Sequence, residues 1–479
     1  MPTRRLVART SMATLEPAFV AIRAREGVSE AYPIEAIADA ERARGADSEP
    51  THVVGERADL TDVPFVTVDP EGSRDLDQAL HVEPAGAGWT VRYAIADVAA
   101  HVVPASALDR ETHARAETVY CPDRRVGLHP AIMSEGFASL LPGQRTRAVV
   151  WTIAVGPTGD LGRATVERAW VESRAQYSYD ELVAAPPPDA ARLVALLRGF
   201  GDARRGALRR LGAVTLPKPS QEVTVDSGRL RLSFRVARGV EDDNAQVSLL
   251  TGAAAARMML DAGVGVLRTM PPASDEALAR LARQAHALGI AWADGEEYAT
   301  VLARLDLSAP RTAAFLTAAV QLFRGAAWEP FDVAGGLPVP AHTRHGALGV
   351  PYAHVTAPLR RLVDRYGTEV CLAHCAGLDV PTWVRDALPA LGGEMTTGAH
   401  RGSRVDRACL EAVEAAVLAP RVGEVFEGVG LDSDTVQLAD PAVVARCSGD
   451  VAVGRRQRVR LVSATPDAGA RFTVERKQS

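Results

Sequence analysis

Leu15, Phe19 and Ile22 recur at helical spacing, and Pro33 followed by Ile34 and Ile37 opens a second helix. Residues 1–55 therefore read as a small helical module, a helix-turn-helix or a plain packing unit. At Val63 the period changes to two. Val63–Val68 is rich in strand formers, Leu76–Val82 alternates, and Trp89–Val98 alternates with Val91, Tyr93 and Ile95 on one face. Ser106 with Asp109, and Ser178 with Glu181, have capping-box spacing, and the second puts Tyr179 at the first helical position. Helical texture follows over Pro186–Leu211, Gln246–Thr269, Asp275–Leu288, Glu296–Leu305 and Arg311–Phe323. Thr356–Ala357–Pro358 starts one more helix, because proline is tolerated in the first turn. Beyond Pro420 the runs are short and alternating: Gly423–Val429, Thr435–Leu438, Gln457–Val462 and Arg471–Val474 predict a small β-barrel.

Composition adds exclusions. Hydrophobic residues at 47% and charged residues at 24% describe an ordinary globular chain, not a disordered or fibrous one. No apolar run reaches the roughly 18 residues of a membrane span. The first twenty residues lack a signal-peptide core, so a cytoplasmic chain is expected. The five cysteines, Cys121, Cys371, Cys375, Cys409 and Cys447, are scattered as free thiols would be. Cys371, His374 and Cys375 lack a second ligand pair, so no zinc site is expected. Basic residues are nearly all arginine, Lys218 and Lys477 being the lysines, and arginine forks onto phosphate oxygens. The net charge of −5 is not the basic footprint usual for a nucleic-acid partner.

The densest acidic stretch is Asp69–Pro70–Glu71–Gly72–Ser73–Arg74–Asp75–Leu76–Asp77–Gln78. On a regular strand Asp75 and Asp77 share a face, and the Pro-Gly turn can fold Asp69 back beside them. Three oxygen donors with open positions suit Mg²⁺, with Mn²⁺ as a substitute, since such ions keep waters and accept substrate phosphates. Taken alone, the spacing reads more readily as two turn-capping aspartates and a solvated third.

The neighbourhood changes that balance. VPFVTVDPEGSRDLDQAL (Val63–Leu80) resembles the signature of the ribonuclease II (RNB) family. The resemblance continues through Tyr93–Gly143, ESRAQYSYDEL (Glu172–Leu182) and YAHVTAPLRRLVDRYG (Tyr352–Gly367), in the family's order. It implies an α+β chain with the helical module at 1–55, an RNB-type catalytic domain at 56–418 and an S1-type OB barrel at 419–479. The implied activity is processive 3′→5′ hydrolysis of single-stranded RNA to nucleoside 5′-monophosphates with Mg²⁺; the sequence leaves the oligomeric state open, with a monomer as the expectation. Asp69, Asp75 and Asp77 stand at three of the family's four catalytic aspartates, while Gln78 occupies the fourth position. A neutral amide there implies one tight metal and a second held weakly, with RNA supplying the missing charge. Arg360 matches the family's catalytic arginine and Arg361 the basic residue after it; the bland alternative is an intrahelical Arg360–Asp364 pair. Ala357 and Leu362 depart from the family's serine and tyrosine. Tyr120 and Tyr179 match positions where the family sets aromatics against the terminal nucleotide.

Val422–Val429 resembles the opening strand of an S1-type fold, and Arg455, Arg456, Arg458 and Arg460 would give it a basic face for RNA. A second arginine cluster, at 198, 204, 205, 209 and 210, is a further expected backbone contact or plain surface. The acidic total then implies RNA held in an enclosed channel with a modest salt dependence. Gln78 also keeps a rival open, a catalytically impaired RNB-like protein that binds RNA.

Overall fold

The computed structural model describes residues 12–475 apart from 47, 54, 217–219, 227–228, 236–238 and 294; Lys218 and Lys477 lie outside the described residues. The chain begins with α1 (Met12–Arg25) and α2 (Ile34–Arg44). Strands β1 (Arg57–Asp59), β2 (Phe65–Asp69), β3 (Gln78–Ala85) and β4 (Gly88–Ala96) follow. Next come α3 (Ala107–Arg115), β5 (Val119–Tyr120), β6 (Arg125–Val126), and the long pair β7 (Arg145–Val155) and β8 (Leu161–Ser178). The middle holds α4 (Tyr179–Ala184), α5 (Ala191–Arg210), β9 (Ser220–Asp226), β10 (Arg229–Arg235), α6 (Gly239–Ala262) and β11 (Val264–Thr269). Then come α7 (Asp275–Ala287), α8 (Tyr298–Ala303), α9 (Pro310–Ala319), β12 (Ala327–Asp332), α10 (Leu362–Ala376) and α11 (Thr382–Leu418). The chain closes with β13 (Val425–Gly430), β14 (Thr435–Leu438), β15 (Val443–Ser448), β16 (Arg456–Thr465) and β17 (Gly469–Val474).

The main sheet runs β1-β8-β2-β3-β4-β7, and β7 also pairs with β8, so the hydrogen bonding returns on itself. Strand β8 is long enough to pair antiparallel with β7 through its first half and parallel with β2 through its end. Val91, Tyr93 and Ile95 are buried on the inner face as their alternation predicts, together with Val149, Trp151 and Ile153 of β7. Helices α6 and α10 cover that face. Where α6 crosses the segment leading to α10, a Cβ on Gly252 would lie 2.2 Å from the Tyr352 ring, so only glycine allows the approach. A closed barrel ordered β13-β14-β15-β17-β16 ends the chain. Its interior is continuous with α1, the β9–β10 hairpin and the second half of α11, so it is anchored to the body by a shared apolar core.

Several expectations need correction. Val264–Thr269 is a strand, because Gly263 in the left-handed region ends α6 and the β-branched run beyond it pairs with β12. The helix expected at Pro358 starts only at Leu362: the buried Asp364 carboxylate accepts from the Ala357 N–H at 2.7 Å and holds Thr356–Arg361 out of helical geometry. Arg361 is extended there and bridges Glu117. The two N-terminal helices do not form a module of their own. Leu15, Phe19 and Ile22 bury against the cluster of α11 and the barrel, whereas α2 buries Ala36 and Ala40 against α3 and leaves Ile34 78% exposed.

Candidate active site

Parallel pairing sets Asp69, the last residue of β2, opposite Ser178, the last of β8. Asp69 and Tyr179 therefore emerge at the same edge of the sheet. Ser178 and Glu181 form the reciprocal capping box, which fixes Tyr179 as the first residue of α4. Asn244 of α6 spans the two strand ends, donating to the Val68 carbonyl at 3.4 Å and to the Tyr179 hydroxyl at 3.1 Å. Asp75 and Asp77 precede β3 rather than lying on it. Leu76 between them is wholly buried, its N–H donating to Ser139 Oγ at 2.9 Å, so this anchor sends its neighbours into different surroundings.

Burial pushes the Asp69 carboxyl up to about 6, with Asp75 adding repulsion and Arg360 opposing it. Asp75 is also raised by burial, against the attraction of Arg125, whose guanidinium pairs with it. Asp77 is the most deeply buried of the three and is pushed up to about 8 by desolvation, despite Arg360. Its Oδ1 accepts from the Leu359 N–H at 2.7 Å, and its Oδ2 lies 3.5 Å from Arg360 Nε. His129 holds the next peptide through Nδ1, 3.0 Å from the Leu359 oxygen.

The three aspartates thus divide into an Asp69–Asp75 pair and an Asp77–Arg360 pair. Among the described residues no three Asp, Glu, His or Cys side chains converge on one metal position. A hard divalent cation still suits part of the set. Asp69 Oδ2 is buried with no hydrogen-bond partner, and so is the amide oxygen of Asn244, whose Nδ2 spans the ends of β2 and β8. Two adjoining carboxylates and a bare amide oxygen are donors such an ion takes.

Gln78 is otherwise engaged. Its Nε2 donates to the Thr356 carbonyl at 2.6 Å, and its Oε1 accepts from the Tyr93 hydroxyl at 2.6 Å, which also meets Ser248 Oγ at 2.8 Å. The amide expected among the metal donors ties β3, β4, α6 and the approach to Arg360 together. Arg361, expected to face RNA, is turned inward onto Asp364, with Nε and Nη2 at 2.9 and 2.8 Å from its two oxygens. The ion pair weighed as the bland alternative for Arg360 is made instead by Arg361 with Asp364, which leaves Arg360 to face Asp77.

Tyr120 is 50% exposed at the rim and pairs in β5–β6 with Arg125. Its hydroxyl feels Arg360, Asp75 and Asp77, and burial lifts it to about 12. Asp75, Arg125 and Leu359 border a cavity of about 220 Å³ whose far wall includes Glu30 and Tyr32, so the N-terminal segment helps enclose the site. On the barrel, Arg455 and Arg456 are exposed, but Arg458 and Arg460 both pair with Glu475 at 2.9 and 2.6 Å. The expected four-arginine face is half neutralised. The cluster on α5 is largely spoken for as well: Arg204 donates to the Gly159 carbonyl, Arg205 pairs with Asp202 and Asp243, and Arg210 with Asp160. Sequence reasoning missed Arg125 and Asn244 and set Asp364 against Arg360 rather than Arg361; the i,i+3 spacing of Arg361 and Asp364 was the one local signal available.

Fold and site together define a mixed α/β body with an acidic, arginine-faced cleft at strand ends, joined to an OB-type barrel. The RNB domain matches residues 57–369 and the RNase II-type exonuclease C-terminal S1 domain matches 424–475, so this chain belongs to the RNB family. Ribonuclease R of Acidithiobacillus ferrooxidans is 32% identical over 164 residues, 34% of this chain and 37% of that protein. Exoribonuclease 2 of Glaesserella parasuis is 35% identical over 133 residues, 26% of this chain and 20% of that one. The matched stretches thus span 37% and 20% of those relatives. In fold, apo RNase R of Mycoplasma genitalium superposes with a TM-score of 0.82 at 18% identity, covering 95% of this chain and 77% of that one. Yeast Ssd1, described as a pseudonuclease, gives 0.66 at 15%, covering 90% and 55%.

Proposed function

We propose that the protein is a metal-dependent 3′→5′ exoribonuclease that shortens single-stranded RNA to nucleoside 5′-monophosphates. The observation that carries this reading is the cleft itself. An Asp69–Asp75 pair with a bare carboxylate oxygen stands beside Arg360, with Tyr120 half-exposed at the rim. Asp69 and Asp75 would hold a Mg²⁺ ion, which when bound offsets phosphate charge and lowers the pKa of its water. Arg360 is 41% exposed, free enough to meet non-bridging oxygens of the reacting phosphate, while Asp77 holds its Nε end. Leu359 and His129 keep Asp77 in place. Tyr120 offers a ring to a terminal base of any identity, as unselective degradation requires. Tyr179, tethered by Asn244, is close enough to Asp69 and Arg360 to feel both charges.

The test uses a 5′-labelled single-stranded RNA with Mg²⁺, beside the Asp77→Asn variant and a deoxy strand of the same sequence. Progressive shortening by the native protein, absent in the variant and on DNA, is expected. RNA binding without shortening by the native protein supports a second reading, an RNA-binding RNB protein without hydrolysis. The engagement of both ends of the Gln78 amide favours that reading, since it leaves the fourth acidic position without a charge. Mg²⁺ titration discriminates further. One tight site without RNA and a weaker second one with RNA are expected, and two tight sites without RNA would overturn this part.

A further inference from the structure

Asp75 is braced by its neighbours on both sides. Ser139 Oγ donates to the Arg74 carbonyl at 2.6 Å and accepts from the Leu76 N–H at 2.9 Å, so the residues before and after Asp75 share one anchor. The Leu140 N–H donates to the Leu76 carbonyl at 3.0 Å and fastens the same loop again. Glu135 lies just upstream of that anchor, in the π-helical turn Met133–Phe137, whose Met133 and Ser134 are buried. The Asp75 and Glu135 carboxylates therefore belong to one fixed unit. Arg125 reaches between them from β6, where Val126 is buried and Arg125 is the partly exposed alternate.

The guanidinium divides itself unequally. Its Nη1 donates to Asp75 Oδ1 at 2.5 Å, while Nη2 and Nε both reach Glu135 Oε1, at 2.8 and 3.2 Å. Glu135 thus holds two of its donors and Asp75 one, so losing the Asp75 contact leaves Arg125 anchored. The cavity of about 220 Å³ beside Asp75 is lined by Arg125 and Glu135 as well, which gives the side chain room on that side. Glu30, another carboxylate on the same wall, is already taken by Arg23 and Arg124. Asp69 differs, since its Oδ2 has no partner. Of the two carboxylates suited to a cation, one has a bare oxygen and the other a positive charge from within the chain. A guanidinium and a divalent cation repel one another on a shared carboxylate, so they compete for Asp75.

We propose that Arg125 is a built-in counter-ion of Asp75 that competes with the divalent cation and is drawn off onto Glu135 when the cation binds. The proposal rests on the reading of Asp69 and Asp75 as the residues that hold the cation. Arg125 is then a positioning residue, acting on the cation through Asp75. Nothing covalent changes; one ion pair is exchanged for another. Glu135 tunes the exchange, because the firmer its hold on Arg125, the more of the Asp75 charge is free for the cation. Gln78 brings no charge to the cleft and its amide is engaged at both ends, so the share of Asp75 that Arg125 leaves available counts for more.

The experiment titrates the full chain with Mn²⁺ in the absence of RNA, reading the free ion by electron paramagnetic resonance. Arg125→Gln should bind Mn²⁺ about 10-fold more tightly than the native protein, the low end of what a neighbouring guanidinium does to a carboxylate's hold on a proton. Glu135→Gln should weaken binding about 3-fold, as for loss of one partly exposed ion pair, because Arg125 then has Asp75 alone. The double variant separates an exchange from simple through-space charge. If Glu135 acts only through Arg125, the double variant binds as Arg125→Gln does; a double variant weaker by the full Glu135→Gln factor overturns the exchange. Equal affinity in the native protein and in a folded Arg125→Gln overturns the proposal. If Arg125→Gln does not fold, unchanged affinity in Glu135→Gln overturns it instead. A native protein that shows these shifts but shortens no RNA overturns the hydrolytic reading and leaves the counter-ion role standing. Absence of Mn²⁺ binding in both the native protein and Arg125→Gln overturns the cation site and the proposal with it.

Discussion

Asp97 and Asp69 are both carboxylates withdrawn from solvent at strand ends of one sheet, Asp97 after β4 and Asp69 at the end of β2 with β3 between them, and their surroundings are opposite. Asp97 lies between Arg57 at 2.8 Å and Arg168 at 3.0 Å. Burial alone would raise it, but the two guanidinium groups outweigh that and hold it at about 2. Arg168 reaches on to Glu369 of α10, so the cluster pins the helix that follows Arg360 onto β8. Asp69 has no such partner: one oxygen is bare, and burial with Asp75 nearby raises it. A charge that the fold satisfies is structural. A charge left unsatisfied awaits something from outside the chain, and the cost of keeping it there marks the site.

Arg360→Ala should break the functional half of this contrast most severely. A roughly 10³-fold or greater loss of RNA hydrolysis is expected, as for other arginines facing phosphoryl charge, with the melting temperature little changed. Removing the satisfied charge should do the reverse. Asp97→Asn leaves Arg57 and Arg168 partly uncompensated in the core and should cost about 3–5 kcal/mol in denaturant unfolding. The same variant tests the sign of the linkage. Because Asp97 is held below its ordinary 3.8, its contribution is present above that value and lost as pH falls toward about 2, so the variant should flatten the acid limb of stability.

Glu414 of α11 sharpens the comparison from the other direction. It accepts from Gln221 Nε2 at 2.6 Å and the Val444 N–H at 3.0 Å, joining α11 to the hairpin and the barrel, yet burial raises it to about 7. The folded state then holds the extra proton, so stability should fall as pH rises from about 4.5 to about 7, by up to about 3 kcal/mol. Glu414→Gln, followed by thermal unfolding across that range, should remove the slope. The smallest effect concerns the barrel. Replacing Arg455 and Arg456 with alanine should weaken RNA binding slightly and lower the salt slope by about 2 at most; a larger drop would place the main RNA grip on the barrel rather than in the cleft.

Periodicity made the strands β2 to β4, the cap of α4 and most barrel strands legible, since alternation and capping residues act within a few positions. It failed at Val264–Thr269, where pairing with β12 decides the strand, and at Pro358, where Asp364 and Glu117 hold the chain extended. For the cleft, Asp69, Asp77, Arg360, Tyr120 and Tyr179 could be picked out from their motifs. The partners of Gln78 and Arg361 could not be, because Tyr93, Thr356 and the local turn geometry direct those side chains.

By itself, then, the sequence determined the residue types, the family and the order of elements, because these follow from composition, motif and short-range period. Tertiary structure alone decided which carboxylates are paired and which stand bare, and that Gln78 is a tie between elements. Those properties depend on burial and on partners as far as 282 positions away, for which the local pattern carries no signal.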